Sequence, residues 1–174
     1  MRMRDLSPEL ALSGEQALEK VEDDIPDVMV LDLKMPGIDG MEVLRRVRKA
    51  YPQVQVVILT GHGSEGPRAE WPCYDIIAEG YSSVMDITGE AENDPQKIGT
   101  PAADLISGSD AAMACIAALF DAARSGRGHF VDISMVESMT RLMSPRIITY
   151  LGSGIVPRRT GAKDSVIAVY QTFA

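Results

Sequence analysis

The sequence predicts an α/β fold: a parallel strand–helix–strand unit joined to a helix-rich α/β region. Three observations predict it. Val28-Met29-Val30-Leu31 and Val54 to Leu59 are short, nearly continuous apolar runs bounded by turn residues. That is the pattern of parallel strands buried on both faces. Met41, Val43, Leu44 and Val47 lie between the two runs at helical spacing, which completes a strand–helix–strand unit. A long helical pattern then follows, in which Leu105, Met113, Ile116, Leu119, Phe120 and Ala123 recur on one side.

The elements follow in order. Ser13 is positioned to cap a first short helix through Ala17, Leu18 and Val21, and Pro26 closes that region. The first strand ends at Asp32, and Pro36 and Gly37 turn the chain into the second helix. Pro52 precedes the second strand, which ends at Thr60. Arg68 to Pro72 reads as a loop, Tyr74 to Ile77 as the start of a short helix, and Met85 to Gly99 as irregular. In the long helix, alanines such as Ala102, Ala103, Ala114 and Ala118 permit close packing against another helix, and Gly126 stops it. His129 to Ile133 is a strand, and Met135 begins a helix that Pro145 limits or kinks. The end of the chain reads as a loop followed by a strand.

With 174 residues, the chain is one or at most two small domains. The net charge of −8, spread over both halves, argues against nucleic-acid binding, which needs a basic face. The one basic run, Arg45-Arg46-Val47-Arg48-Lys49, reads as a solvated helix face. Cys73 and Cys115 form no metal or disulfide spacing, and no metal ligands are assigned. The N-terminus lacks an apolar signal core, and no apolar run is read as long enough to span a bilayer. The expectation is a soluble cytoplasmic protein of bacterial type, with no membrane partner.

Asp32 and Thr60 both stand at strand C-termini, the edge where open α/β sheets bind ligands. The string LDLKMPGIDG, followed by VVILTGHGSE, resembles the response-regulator receiver family. The resemblance implies a Rossmann-like, receiver-like segment over residues 5–64. It also implies Asp32 as phospho-acceptor, Thr60 as the hydroxyl that contacts the phosphoryl group, Mg²⁺ as cofactor and a histidine kinase as partner. The family's acidic pair and its later lysine have no counterpart here, and Asp5 is the only acid near the start. Without them nothing neutralises the charge on a transferred phosphoryl group. The competing reading of Asp32 is a strand-end acid without a catalytic role.

From about residue 60 to 174, a second set of strings resembles family III CoA-transferases of the CaiB/BaiF, formyl-CoA transferase-like group. They are GPRAEWPCYDIIAEG, DITGE, PQKIGTPAADLISG, SGRGHFVDISMVESM and PRRTGAKDSVIAVYQTF. The resemblance implies a partial transferase domain over residues 65–174. Coenzyme A would pass from an acyl-CoA to a carboxylic acid through an aspartyl-CoA intermediate. Asp104 would be the nucleophile, Tyr74 would lie near the CoA, and the protein would be a homodimer. From the residues alone, Asp104 reads as a helix cap and Tyr74 as a half-buried aromatic. Arg158 and Arg159 read as a solvated loop, His129 has no assigned role, and Asp75, Asp110 and Asp132 read as structural or exposed.

The family's N-terminal CoA-binding part and its glycine-rich closing loop have no counterpart in this sequence. An inactive chimeric remnant is therefore a further alternative, beside the transferase and the truncated receiver. Both resemblances share an apolar strand running into a Thr-Gly-X-Gly turn. Residues 54–63 are thus expected to pair as a sheet strand beside elements of the later part.

Overall fold

Ser13 accepts a hydrogen bond from the Gln16 amide and starts helix α1, Gly14–Asp23, as its sequence position predicts. Strand β1, Val28–Leu31, follows, then α2, Gly40–Ala50, capped by Asp39 through the Glu42 amide at 2.8 Å. Strand β2, Gln55–Thr60, pairs with β1 in parallel, with Val28 opposite Gln55 and Leu31 opposite Ile58. Next come α3, Asp75–Tyr81, α4, Val84–Ile87, and the long α5, Ala102–Ser125. Strand β3, Phe130–Ser134, α6, Met135–Leu142, and α7, Ser144–Ser153, complete the order. The computed structural model describes residues 8–164. Asp5 and the strand read at the C-terminal end lie outside the described residues.

The sheet has the order β1-β2-β3, so β2 is its central strand. The Val56 amide donates to the His129 carbonyl at 2.9 Å, and buried Gln55 accepts the His129 amide at 2.9 Å. Residues 54–63 thus contain a strand that pairs with a later element. Gly128 lies directly on the Pro52–Val54 backbone, where an added Cβ would collide with main-chain atoms.

The chain divides into two units, Met1–Ile58 with Cys115–Val131, and Leu59–Ala114 with Asp132–Ala174. The core of the first is aliphatic: Val21, Leu31, Val43, Leu44, Val47, Val54, Val56 and Ile58. The core of the second joins Ala78, Val84, Ala102 and Ala103 to Met135, Met139 and Met143. There α3 packs against α6.

Several expectations meet the structure here. Strand β1 is not buried on both faces, since Val30 is 72% exposed on a strand that borders the sheet. Residues 84–87 form a short helix where irregular chain was expected. Of the two roles read for Pro145, limiting and kinking, the first fits: α6 ends at Leu142, and Pro145 sits in the first turn of a new helix, α7, where its missing N–H leaves no bond unmade. The apolar side read for α5 is largely uncovered: Ile116 is 68% exposed, Phe120 66%, and Leu105 and Met113 are exposed too. Helix α5 is also, by length and composition alone, long and apolar enough to cross a membrane, contrary to the sequence reading. It carries Asp104, Asp110 and Asp121 along its length, however, and ionisable groups are costly in hydrocarbon.

Candidate active site

Asp104 stands in the first turn of α5 and is exposed. The unpaired amides at a helix N-terminus carry partial positive charge, which favours a carboxylate there. Its neighbourhood lies within the second unit. Tyr74 directly precedes α3 and is 74% exposed, so the half-buried aromatic expected from sequence is corrected to an open one. Cys73, next to it, packs its Cβ against Gly61 so closely that a side chain at 61 has no room. The Cys73 thiol is pushed up from its ordinary value, first by burial and second by the negative charge of Asp104. Asp104 is thus near enough to Cys73 for its charge to be felt there, and Tyr74 is the next residue along the chain from Cys73.

Helix α5 does not cap itself. Pro101 precedes it and has no side-chain acceptor. The cap comes from α3, where Asp75 Oδ1 accepts the Ala103 amide at 2.8 Å. One turn further along α3, Glu79 Oε2 accepts the Ile98 amide at 2.9 Å. The Leu105 amide then donates to the Pro101 carbonyl at 3.1 Å and begins the regular helix ladder. Sequence reasoning left Asp75 among the structural or exposed acids and did not single out Glu79. The available signal was their spacing: residues four apart on a helix lie on one face.

The turn after β2 is held from β3 and α6. Asp132 Oδ2 accepts both the amide of Ser64, at 2.8 Å, and its hydroxyl, at 2.5 Å. Ser134 Oγ donates to the Gly61 carbonyl at 3.3 Å, and the Val136 amide donates to the same carbonyl at 3.1 Å. Gly63 adopts φ +92°, a conformation other residues rarely take. Above this turn the His62 ring meets the Tyr81 ring edge-on at 5.0 Å, and Arg68 lies 4.8 Å over Tyr81. Among the described residues of this unit, two concavities stand out. One, of about 180 Å³, is lined by Asp110, Asp132, Ser134 and Arg141 among others; the other, of about 360 Å³, by Met143, Arg146, Ile147 and Tyr150 among others. Asp104 lines neither.

The remaining sequence candidates have local roles. Asp32 Oδ1 accepts the Lys34 amide at 3.0 Å, an Asx turn that leads out of β1. Thr60 Oγ1 accepts the Gly63 amide at 2.8 Å and closes its own turn. Arg159, expected in a solvated loop, instead donates to the Asp86 carbonyl at 2.9 Å and its carboxylate at 3.2 Å. Arg158 is exposed. His129 pairs with Asp121 at 2.7 Å. Among the described residues no group of three or more His, Cys, Asp or Glu side chains is placed to hold a metal ion.

The sequence model of CoA-transferase family III matches residues 27–174, and the chain belongs to that family. The match includes β1, α2 and β2, so the stretch read from sequence as a receiver-like segment falls, from residue 27 on, within the CoA-transferase family match. Among curated relatives, a succinate–glutarate CoA-transferase of Agrobacterium fabrum is 33% identical over 147 residues, 83% of this chain and 36% of the relative. A succinyl-CoA:mesaconate CoA-transferase of Haloarcula hispanica is 28% identical over 84% of this chain and 38% of the relative. Among solved structures, a CaiB/BaiF family protein from Brucella suis superposes with a TM-score of 0.74 and 32% identity, over 85% of this chain and 39% of that one. The protein Rv3272 of Mycobacterium tuberculosis gives 0.68 and 26%, over 83% and 41%. This chain thus spans little more than a third of the length of these relatives.

Proposed function

We propose that the protein transfers coenzyme A from an acyl-CoA to a short dicarboxylic acid, with Asp104 as nucleophile. One observation carries the reading. In a family III chain, an exposed carboxylate stands in the first turn of a helix whose cap comes from a neighbouring helix, so no cap duty explains the acid. The dicarboxylate class is supported by the relatives' names, which specify succinate, glutarate, mesaconate, oxalate and citramalate.

An Asp104 oxygen attacks the thioester carbonyl of the donor and expels CoA thiolate, leaving a mixed anhydride. The thiolate then attacks the aspartyl carbonyl and releases the donor as a free carboxylate, leaving aspartyl-CoA. The acceptor carboxylate repeats the two exchanges in reverse and leaves as its CoA thioester. The covalent intermediate splits one difficult transfer into easier steps. The first-turn amides of α5 favour the carboxylate before attack. Tyr74, exposed next to Cys73 in the chain, is the proposed contact for the CoA moiety.

The working form we propose is a homodimer. Its support is the exposed apolar side of α5, including Ile116 and Phe120, and the exposed Ile148 and Leu151 of α7. A clean monomer in sedimentation at micromolar concentration would overturn the dimer. The phospho-acceptor reading gains no support, because Asp32 and Thr60 are each engaged in their own turns.

The test is intact mass spectrometry after incubation with succinyl-CoA, with Asp104→Asn in parallel. An aspartyl-CoA or succinyl adduct on the parent alone is expected. A folded parent that gains no adduct sinks the reading.

A further inference from the structure

We infer that Asp75 and Glu79 are positioning residues that together fix the segment 98–104 and so aim Asp104; the inference rests on the reading of Asp104 as nucleophile. The two carboxylates stand four residues apart on α3, on one face of the helix. Each takes one amide from the segment that leads into α5, Asp75 that of Ala103 at 2.8 Å and Glu79 that of Ile98 at 2.9 Å. Between these anchors lies Pro101, which has neither an amide hydrogen nor a capping side chain. Two anchors on one rigid helix fix both the location and the direction of the first turn of α5. A single cap would fix only the location.

Asp75 alone has an ordinary explanation as a helix cap. Glu79 has none, because the amide it holds lies four residues ahead of α5. Glu79 is wholly buried, and its Oε1 has no hydrogen-bond partner. Its chain neighbour Ala78 belongs to the apolar core of the unit, with Val84, Ala102 and Ala103. A buried carboxylate with one oxygen unsatisfied opposes stability. Breaches of packing rules concentrate where function constrains a residue. The constraint here is placement of the nucleophile, where an error of an ångström is enough to lower a rate.

The experiment uses the full chain with Glu79→Ala, Glu79→Gln and Glu79→Leu, the last filling the volume if the alanine variant does not fold. Two readouts are taken, amide hydrogen exchange by residue and the rate of adduct formation from succinyl-CoA. Loss of the acceptor in Glu79→Ala or Glu79→Leu is expected to speed exchange across 98–104 by about tenfold or more, with α6 still protected. Adduct formation slows by about tenfold, while the succinyl-CoA concentration for half-maximal rate stays put. Glu79→Gln keeps an oxygen acceptor for Ile98 and restores both readouts. Unchanged exchange at 98–104, or an even loss of protection across the unit, overturns the inference whatever the adduct does. A parent without adduct whose segment still loosens on Glu79 substitution sinks the nucleophile reading and leaves the clamp standing.

Discussion

In the unit built from residues up to 58 with 115–131, the buried polar side chain among the described residues is Gln55, and the rest of the interior is aliphatic. In the other unit the interior holds Glu79, Ser82, Ser107, Ser134 and Ser138 beside methionines and alanines. The first is ordered by strand pairing and close-packed branched side chains, with Val43, Val47, Val56 and Ile58 fully buried. The second carries the candidate site and is ordered by side chains that hold backbone amides and carbonyls: Asp75, Glu79, Asp132 and Ser134. Apolar packing fixes a body; directional bonds fix the place and aim of one reactive group. The contrast teaches that the two units should fail differently when mutated.

The largest expected effect separates chemistry from stability. Asp104→Asn should slow adduct formation on the order of 10³-fold or more, as loss of a nucleophile does. Its unfolding midpoint should stay within about 0.5 kcal/mol of the parent, because the side chain is exposed. Next, Ile58→Ala in the aliphatic core should cost about 2–5 kcal/mol in urea unfolding while leaving the chemistry of surviving folded protein intact. If it instead abolishes adduct formation in the folded fraction, the division of labour between the units is wrong. Smaller still, Asp75→Ala removes the cap of α5 and should cost about 1 kcal/mol. It should slow adduct formation more than Ile58→Ala does, despite the lesser loss of stability.

Two titrations sharpen the comparison further. Cys73 alkylation, followed in a Cys115→Ser background, should require higher pH than an ordinary thiol. Adding Asp104→Asn should bring the midpoint part of the way down, since burial is the larger cause and remains. No movement would separate Asp104 from Cys73. In the first unit, the His129 hydrogen bond holds the Asp121 carboxyl below the usual carboxylate range, with Ser125 adding to it. A depressed carboxyl contributes stability above its unfolded value, and that stability is lost as pH falls through the folded one. Thermal midpoints should therefore fall less between pH 5 and pH 3, on the order of the unfolded carboxylate range, in His129→Ala than in the parent. The effect should be small, because Asp121 is exposed.

Elements with a local cause were readable from the sequence. Ser13 and Asp39 cap their helices through their own hydroxyl and carboxylate, and Gly126 ends α5 at φ +69°. The capping pair Ser134 and Glu137 likewise marks the start of α6. Strands β1 and β2 are apolar runs flanked by turn residues, and periodicity placed them to within a residue. The exposure of the apolar side of α5 was not legible for a physical reason: spacing shows that a helix has an apolar side, not what covers it. The same holds for β1, whose composition suited a central strand and whose place in the sheet left Val30 exposed.

For the site, the sequence by itself determined that a long helix starts near Asp104 and a short one at Tyr74, because both depend on neighbours within one helical turn, but Asp104 lies inside the first turn and is not the cap read from sequence. Tertiary structure alone decided what holds Asp104 in place. The cap of α5 comes from Asp75, 28 residues away, the lead-in is held by Glu79, and the turn after β2 is fixed by Asp132, 68 residues from Ser64. Hydrogen bonds between distant residues leave no periodicity in the chain. They arise only once packing has brought α3 beside the start of α5, and β3 beside the turn that follows β2.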